Sequence, residues 1–457
     1  MFGKNAGARV PLPGRFWVIW SGQTVTLVGN SVLRFAFVIH AWTSGEQATR
    51  VVLLALCASL PQVLLSPTAG ALVDWCQKRT ALRLADLGGL IVVTALSVSY
   101  FSGELRLWQI YLAVTLIGAA AAFQFPALSS AVPLLVSEGQ YQRANGLLAA
   151  AASIASVGGP VIGGVLIASA GLGPILLADL FSFAVALACV QSIRLNERRA
   201  EPRPAAGGRR KLIADSGEGL RYLFARPSLR GLTLVFFSVN LVMVFGFAVV
   251  QPMILARTGG DASMLASVLA SMGIGGIAGG LLLGVWGGPK NRVRGMMLGV
   301  VGMCLTALVG MALARSVPGW CAAIFAGALL MPIVNSAMQS IVQTKVPPQQ
   351  QGKVFGAVMF VSQVSAPLAM AFAGPLADHV FEPHGAPGGL TRLLGPVLGD
   401  GPGSGMAAML LIAGVGGAAV ALFGMTSRSV RDIDRLIPDL TIDGTGSEHE
   451  ATQAPAH

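Results

Sequence analysis

The sequence predicts an all-α integral membrane protein, with twelve transmembrane helices arranged as two six-helix pseudo-symmetric halves. Three observations carry this expectation: long apolar runs, charge confined to short islands between them, and an internal repeat. Of the 457 residues, 54% are hydrophobic and 11% charged, with a mean hydropathy of +0.70. A soluble globular chain would carry roughly 25% charged residues. The apolar runs are near the roughly 20 residues a helix needs to cross a bilayer. Lipid offers no water to unpaired backbone groups, so spans must be helices or closed barrels, and unbroken rather than alternating apolar runs select helices.

Taken in order, the runs fall at roughly 16–40, 51–73, 84–101, 108–132, 146–170 and 174–193, then 231–254, 264–287, 295–314, 319–343, 354–377 and 406–426. The run from Phe16 continues past signal-peptide length, so it is expected to remain as the first span. The chain thus divides into an N-terminal tail (1–14), a first half (15–193), a basic linker (194–230), a second half (231–426) and a C-terminal tail (427–457). Within the linker, Arg198–Lys211 has flexible composition, and Leu212–Arg226 reads as a surface amphipathic helix with Leu212, Leu220, Leu223 and Phe224 toward lipid. Thr441–His457 has a composition unsuited to packing.

Orientation follows from the cations. With the N-terminus inside, 25 of the 31 Lys and Arg residues fall in inner loops and tails, five fall in outer loops, and Arg34 lies within a span. The positive-inside rule then makes the chain a multi-pass protein of a cytoplasmic (inner) membrane with both termini cytoplasmic. The net charge of +11 needs no nucleic-acid partner, because the cations are spread over loops rather than gathered on one soluble domain. The five cysteines, Cys57, Cys76, Cys189, Cys304 and Cys321, lack CxxC spacing and read as small packing residues.

Shifting the chain by 210 residues places Gly70 on Gly280, Ala127 on Ala337, Ser130 on Ser340, Val136 on Val346, Gly146 on Gly356 and Gly164 on Gly374. One offset serves the second, fourth and fifth spans and their partners. Two parallel halves joined by the linker account for this, and halves that rock about a central site make a transporter.

After the second span the chain reads Gly70-Ala-Leu-Val-Asp74-Trp-Cys-Gln-Lys78-Arg79. The fifth span carries Gly146, Ala155, Gly159-Pro160 and Gly163-Gly164. Glycines four apart let helix backbones touch, and Pro160 frees a carbonyl and bends its helix. The first stretch resembles the loop signature of the major facilitator superfamily, and the twelve spans and central linker are similar to that family's layout. The resemblance implies the major facilitator fold. It also implies a cytoplasmic gate in which Gly70, Asp74, Lys78 and Arg79 help hold the inner ends of the halves together. The repeat partner has Gly284 where the aspartate would stand, so this latch is expected to be one-sided. The second stretch resembles the signature of drug-exporting antiporters, departing from it at Ala155, and implies export. Leu84-Ala-Asp86-Leu, Phe125-Pro126-Ala127 and Asp179-Leu-Phe-Ser-Phe183 are similar to the macrolide-efflux and enterobactin-exporter branch.

Charge at membrane depth is costly unless paired or hydrated. Arg34 and Asp179 lie at equal depth in the first and sixth spans, which permits a salt bridge; otherwise Asp179 titrates, or Arg34 draws anionic cargo. Asp86, near the inner end of the third span, is expected to support the Asp74 loop. Asn335, Gln339 and Gln343 recur at i, i+4 and i+8 on one face of the tenth span. With Gln23, Asn30, Gln124, Asn240, Gln251 and Gln363 they form a set of amides. The first, fourth, seventh and tenth helices line the cavity in the family, so these amides become candidate cargo contacts. Interhelical hydrogen bonding explains them equally well.

No phosphate-cradling GxxxxGK[ST] is present, so a gradient rather than direct ATP hydrolysis is expected to drive the chain. The Gly-rich run Met272–Gly280 lies inside a span and reads as packing, and His379 and His384 as a solvated loop rather than a metal site. No enzyme constellation and no cofactor are expected. The combined expectation is a monomeric, proton-coupled exporter of an amphipathic drug-like or siderophore-like molecule. Uptake by the same fold and a non-transporting receptor are the alternatives.

Overall fold

The computed structural model describes residues 11–75, 77–137, 140–193, 221, 225, 227–289, 291–345, 348–382, 395–399 and 401–426. Among the described residues, twelve helices are long and apolar enough to cross a membrane, in the expected order. The first half contains α1 (Gly14–Thr43), α2 (Ala48–Trp75), α3 (Lys78–Phe101), α4 (Leu107–Leu135), α5 (Tyr141–Ala170) and α6 (Leu172–Ser192). In the second half, α7 comprises Pro227–Ala248 and, after a break at Val249, Val250–Arg257; α8 is Ala262–Trp286. The ninth span, α9, joins Arg292–Met303 and Met311–Leu313 through a π-helical turn at Cys304–Gly310. Then come α10 (Val317–Lys345), α11 (Pro348–Leu376, continued by a π turn at Ala377–Phe381) and α12 (Ser404–Thr426).

Local chemistry sets the ends. Gly171, at φ 76° and ψ −165°, is the single residue between α5 and α6, a conformation that requires glycine. Asp261 caps α8 by accepting from the backbone N–H groups of Ser263 (2.8 Å) and Met264 (3.2 Å), and Gly287 in the left-handed region ends it. The helices outrun the apolar stretches that announced them. The clearest case is α3, which begins at Lys78 rather than near Leu84, so the two motif cations occupy its first turn instead of a free loop. A cation opposes the dipole at a helix N-terminus, and both side chains turn to carbonyls at C-terminal ends instead. Lys78 Nζ donates to Val73 O of α2 at 3.0 Å, and Arg79 Nε donates to Val190 O of α6 at 3.1 Å.

Call the face where α1 begins the near face and the opposite one the far face. The halves meet through α2 against α11 and through α5 against α8. At the far face one buried cluster runs through both halves, including Phe35, Ile39 and Trp42 of α1, Val51 and Val52 of α2, Met253 of α7, Leu265 of α8, Ala373 of α11 and Leu410 of α12. Toward the near face the described buried residues form separate clusters, one around Phe16, Leu82 and Val132 and another around Met296, Val300 and Met338. The far face is therefore closed. Closure there removes apolar side chains from water, worth about 25 cal/mol per Å².

The linker helix expected at Leu212–Arg226 lies outside the described residues except for Arg221 and Ala225, both helical. The linker segment Arg198–Lys211 and the tail 427–457 lie outside them as well, as do Cys76, Lys290 and His384.

Candidate functional site

A cavity of about 580 Å³ opens between the halves, walled by α1, α2, α4, α5, α7 and α8. Most of the wall is aliphatic or aromatic, and its polar groups are Ser31, Arg34, Ser59, Gln62, Ser156 and Gln251. A narrower cavity of about 50 Å³ adjoins it and shares Arg34 and Gln62, adding Asn30 and Gln124. Arg34 is exposed, and its side chain borders both cavities.

The close approach of α1 and α5 that shapes this wall depends on the fifth-span glycines. A β-carbon at Gly159 would collide with Ser31 of α1, and one at Gly163 would press on Phe35 at 3.0 Å. At Gly164 it would stand 2.8 Å from Ala266 Cβ of α8, in the other half. Gly273 of α8 answers from the opposite side, packed against Val157 of α5. Gly146, by contrast, has open space around it. Pro160 lines the cavity between these contacts.

Two carboxylates are buried behind the cavity wall in the first half. Asp86 on α3 is fully buried; Gln23 Nε2 of α1 donates to its Oδ2 at 2.9 Å, and Gln124 Nε2 of α4 donates to its Oδ1 at 3.0 Å. Gln124 also donates to Gln23 Oε1 at 2.9 Å, so three helices close a ring of neutral amides around one acid. This corrects the expectation that Asp86 supports the Asp74 loop. Its side chain faces into the half, because helical phase turns position 86 toward α1 and α4. It also places Gln23 and Gln124 as partners of Asp86 before anything else.

Asp179 on α6 is 1% exposed and lies against Gly29, where a β-carbon would reach within 2.5 Å of Oδ1. Ser182 Oγ donates to Oδ1 at 3.1 Å, while Oδ2 has no hydrogen-bond partner among the described residues. Among the described residues the salt bridge to Arg34 that equal depth permits is not formed. Arg34 lines the cavity, while Asp179 lies against Gly29 of α1 and does not line it. A buried carboxyl with one oxygen unsatisfied and no touching cation is costly as a charge and far less so when protonated.

The remaining amides divide. Asn240 Nδ2 donates to Ser362 O (2.6 Å) and Ser365 Oγ (2.8 Å), tying α7 to α11, which makes it a helix-packing residue and corrects its placement as a cargo contact. Gln251 and Asn30 line the cavities as expected. Asn335 and Gln363 are exposed and line neither cavity, and the Gln339 side chain lies outside the described residues. Sequence reasoning missed Gln62 of α2. Its only signal was an amide in the middle of an apolar run, the same signal that singled out the others. It also missed Asp378, whose oxygens accept from the backbone N–H groups of Ala48 and Thr49 at 2.8 Å each, across the two halves.

Of the gate residues, the described contacts of Lys78 and Arg79 stay within the first half, and the side chain of Asp74 lies outside the described residues. Gly284 has open space around it. No group of three or more metal-ligating side chains occurs among the described residues.

Comparison with known proteins agrees with this architecture. The Major Facilitator Superfamily model matches residues 19–370. Macrolide efflux protein A of Streptococcus pyogenes is 24% identical over 377 residues, covering 80% of this chain and 90% of that protein. The multidrug efflux pump Tap of Mycolicibacterium fortuitum is 25% identical over 360 residues, covering 77% and 86%. Among solved structures, a bacterial homologue of the human lysosomal transporter Spinster, in an inward-facing, unoccupied conformation, superposes with a TM-score of 0.64 at 16% identity. That likeness covers 93% of this chain and 99% of that one. A bacterial homologue of the iron transporter ferroportin, also inward-facing, gives 0.64 at 13% identity over 90% and 99%. On the match through residues 19–370, this chain belongs to the Major Facilitator Superfamily.

Proposed function

We propose that the chain is a proton-coupled exporter of amphipathic small molecules, working by alternating access with both termini cytoplasmic. The observation that carries this reading is Asp179: a buried carboxyl with an unsatisfied oxygen, one helix away from a largely apolar cavity of drug-molecule size. Protonation removes the cost of its charge, so a proton taken up there changes what the cavity wall prefers. Relatives named as macrolide and multidrug efflux pumps support the direction, as do Gly159, Pro160, Gly163 and Gly164 on α5. The closed far face corresponds to the inward-facing arm of the cycle. Opening it requires parting α2 from α11 and α5 from α8, with Asp74, Lys78 and Arg79 of the near-face motif engaging on the opposite arm.

The test begins with growth of expressing and non-expressing cells across a panel of amphipathic antibiotics. The compound showing the largest protection is then followed in everted vesicles under an imposed pH gradient. Gradient-dependent accumulation that vanishes in Asp179→Asn supports the reading. Undiminished gradient-driven transport in the Asp86→Asn, Asp179→Asn double variant removes proton coupling through these carboxyls, and net uptake by whole cells would identify the reverse direction.

A further inference from the structure

Arg34 is the one charged side chain among the described residues that line the larger cavity. It makes no hydrogen bond or ion pair with a described residue, and Asp179, which lies against Gly29 of α1, has no hydrogen-bond partner at Oδ2 among the described residues. Gln62 borders the same two cavities and likewise has no described hydrogen-bond partner. A guanidinium and a carboxamide with free N–H groups therefore converge on a cavity whose other polar groups are three serine hydroxyls and Gln251. A cation at membrane depth is costly without a counter-ion or water. Its forked donors match a carboxylate, phosphate or sulfonate, and charge-assisted hydrogen bonds are the strong ones.

Resting on the exporter reading above, we infer that the cargo this cavity selects is an amphipathic organic anion, its acidic group held by Arg34 and Gln62 and its apolar body by the α1, α2 and α5 walls. No acidic side chain among the described residues lines the cavity to recognise a basic cargo. An organic cation would enter a wall whose one charged side chain among the described residues is a guanidinium. Neutral amphipaths would fill the apolar part and leave the guanidinium N–H groups without an acceptor. Arg34 and Gln62 are thus specificity-determining residues.

The experiment uses two fluorescent probes of matched length, N-dansyl-aminohexanoate and dansylcadaverine, which end in a carboxylate and an ammonium respectively. Binding is measured by fluorescence to the purified full chain in nanodiscs of uncharged lipid, with empty nanodiscs subtracted. The carboxylate probe should bind about tenfold or more tightly than the ammonium probe, the range expected for a charge-assisted hydrogen bond. Arg34→Gln should abolish the preference and Arg34→Lys should retain most of it. Gln62→Glu, which places a negative charge beside the guanidinium, should weaken the carboxylate probe selectively, and keeps the inference testable if Arg34→Gln fails to fold. Equal affinities, a preference for the ammonium probe, a carboxylate preference that survives Arg34→Gln, or no saturable binding of either probe would overturn it. If the anion preference is missing while gradient-driven efflux persists, this inference fails and the exporter reading stands. If the preference is present while transport ignores the gradient, the reverse holds.

Discussion

Asp378 closes the far face by holding the first turn of α2 from the other half: its two carboxylate oxygens accept from the backbone N–H groups of Ala48 and Thr49, each at 2.8 Å. Those N–H groups have no partner within their own helix, and the positive end of the α2 dipole favours a carboxylate there. Gly374, one turn earlier, lets the helices approach, since a β-carbon at that position would stand 2.8 Å from Thr49 Cα. The near-face motif has Asp74 in the first half, so the described latch at the far face belongs to the second half.

Asp378→Asn should loosen that closure. Asparagine offers one acceptor oxygen where the carboxylate offers two, and the loss of a charge-assisted bond at a half-buried site corresponds to about 1–2 kcal/mol. The readout is labelling of Ser59→Cys, in the cavity wall, by a membrane-impermeant thiol reagent applied from the far side. The rate should rise on the order of tenfold in the Asp378→Asn background. An unchanged rate would show that the apolar cluster alone holds the face shut.

The fifth-span glycines should rank by what surrounds them. Gly159→Ala collides with Ser31, including its backbone, and Gly164→Ala presses on Ala266 across the halves. Each should lower stability by about 1–3 kcal/mol. Gly146→Ala and Gly284→Ala meet open space in their helices and should be neutral or slightly stabilising. Thermal unfolding in nanodiscs separates the two classes, and equal loss at Gly146 and Gly159 would contradict the packing account.

The ring around Asp86 predicts coupling. Gln23→Leu or Gln124→Leu leaves an acceptor of a fully buried carboxyl without its donor, at a cost of about 1–3 kcal/mol each. Because the two amides also bond each other, the double variant should depart from the sum of the single ones. A double-mutant cycle on unfolding midpoints measures this, and strict additivity would mean the amides act independently.

Asp261 offers a pH-dependent check at the far-face end of α8. The hydrogen bonds from Ser263 Oγ and the Met264 and Ser263 N–H groups hold its carboxyl below the ordinary value of 3.8. A depressed value means the cap contributes fully above that ordinary value and is lost as pH falls through the lowered one. Asp261→Ala should cost about 0.5–1 kcal/mol near neutrality, the low end for an accessible cap. The gap in unfolding midpoint from the parent should shrink only on acidification below 3.8; a gap that grows on acidification would reverse the sign.

The helices of this protein were legible from residues alone because lipid leaves so few choices. Every span must satisfy its own backbone and needs about 20 apolar residues, so the run from Phe16 or from Met264 declares itself. The glycines at 159, 163 and 164 were legible for a related reason: only close helix contact makes such residues useful in sequence. Boundaries were less so, as α3 shows by starting at Lys78, because polar residues extend a helix without extending its apolar signature.

What the chain alone could not decide is which side chains meet. A single apolar span carries little hydropathic phase, so nothing in the order of residues said that Asp86 turns to Gln23 and Gln124, or that Asn240 spends its donors on α11. Asp378 and Ala48 stand 330 positions apart, and Gln62 looked like any other amide in a membrane helix. Those pairings depend on helix rotation and on how the two halves seat against each other. Only the tertiary structure sets these, because van der Waals fit and a few buried hydrogen bonds, rather than transfer from water, select among the rotations that lipid permits.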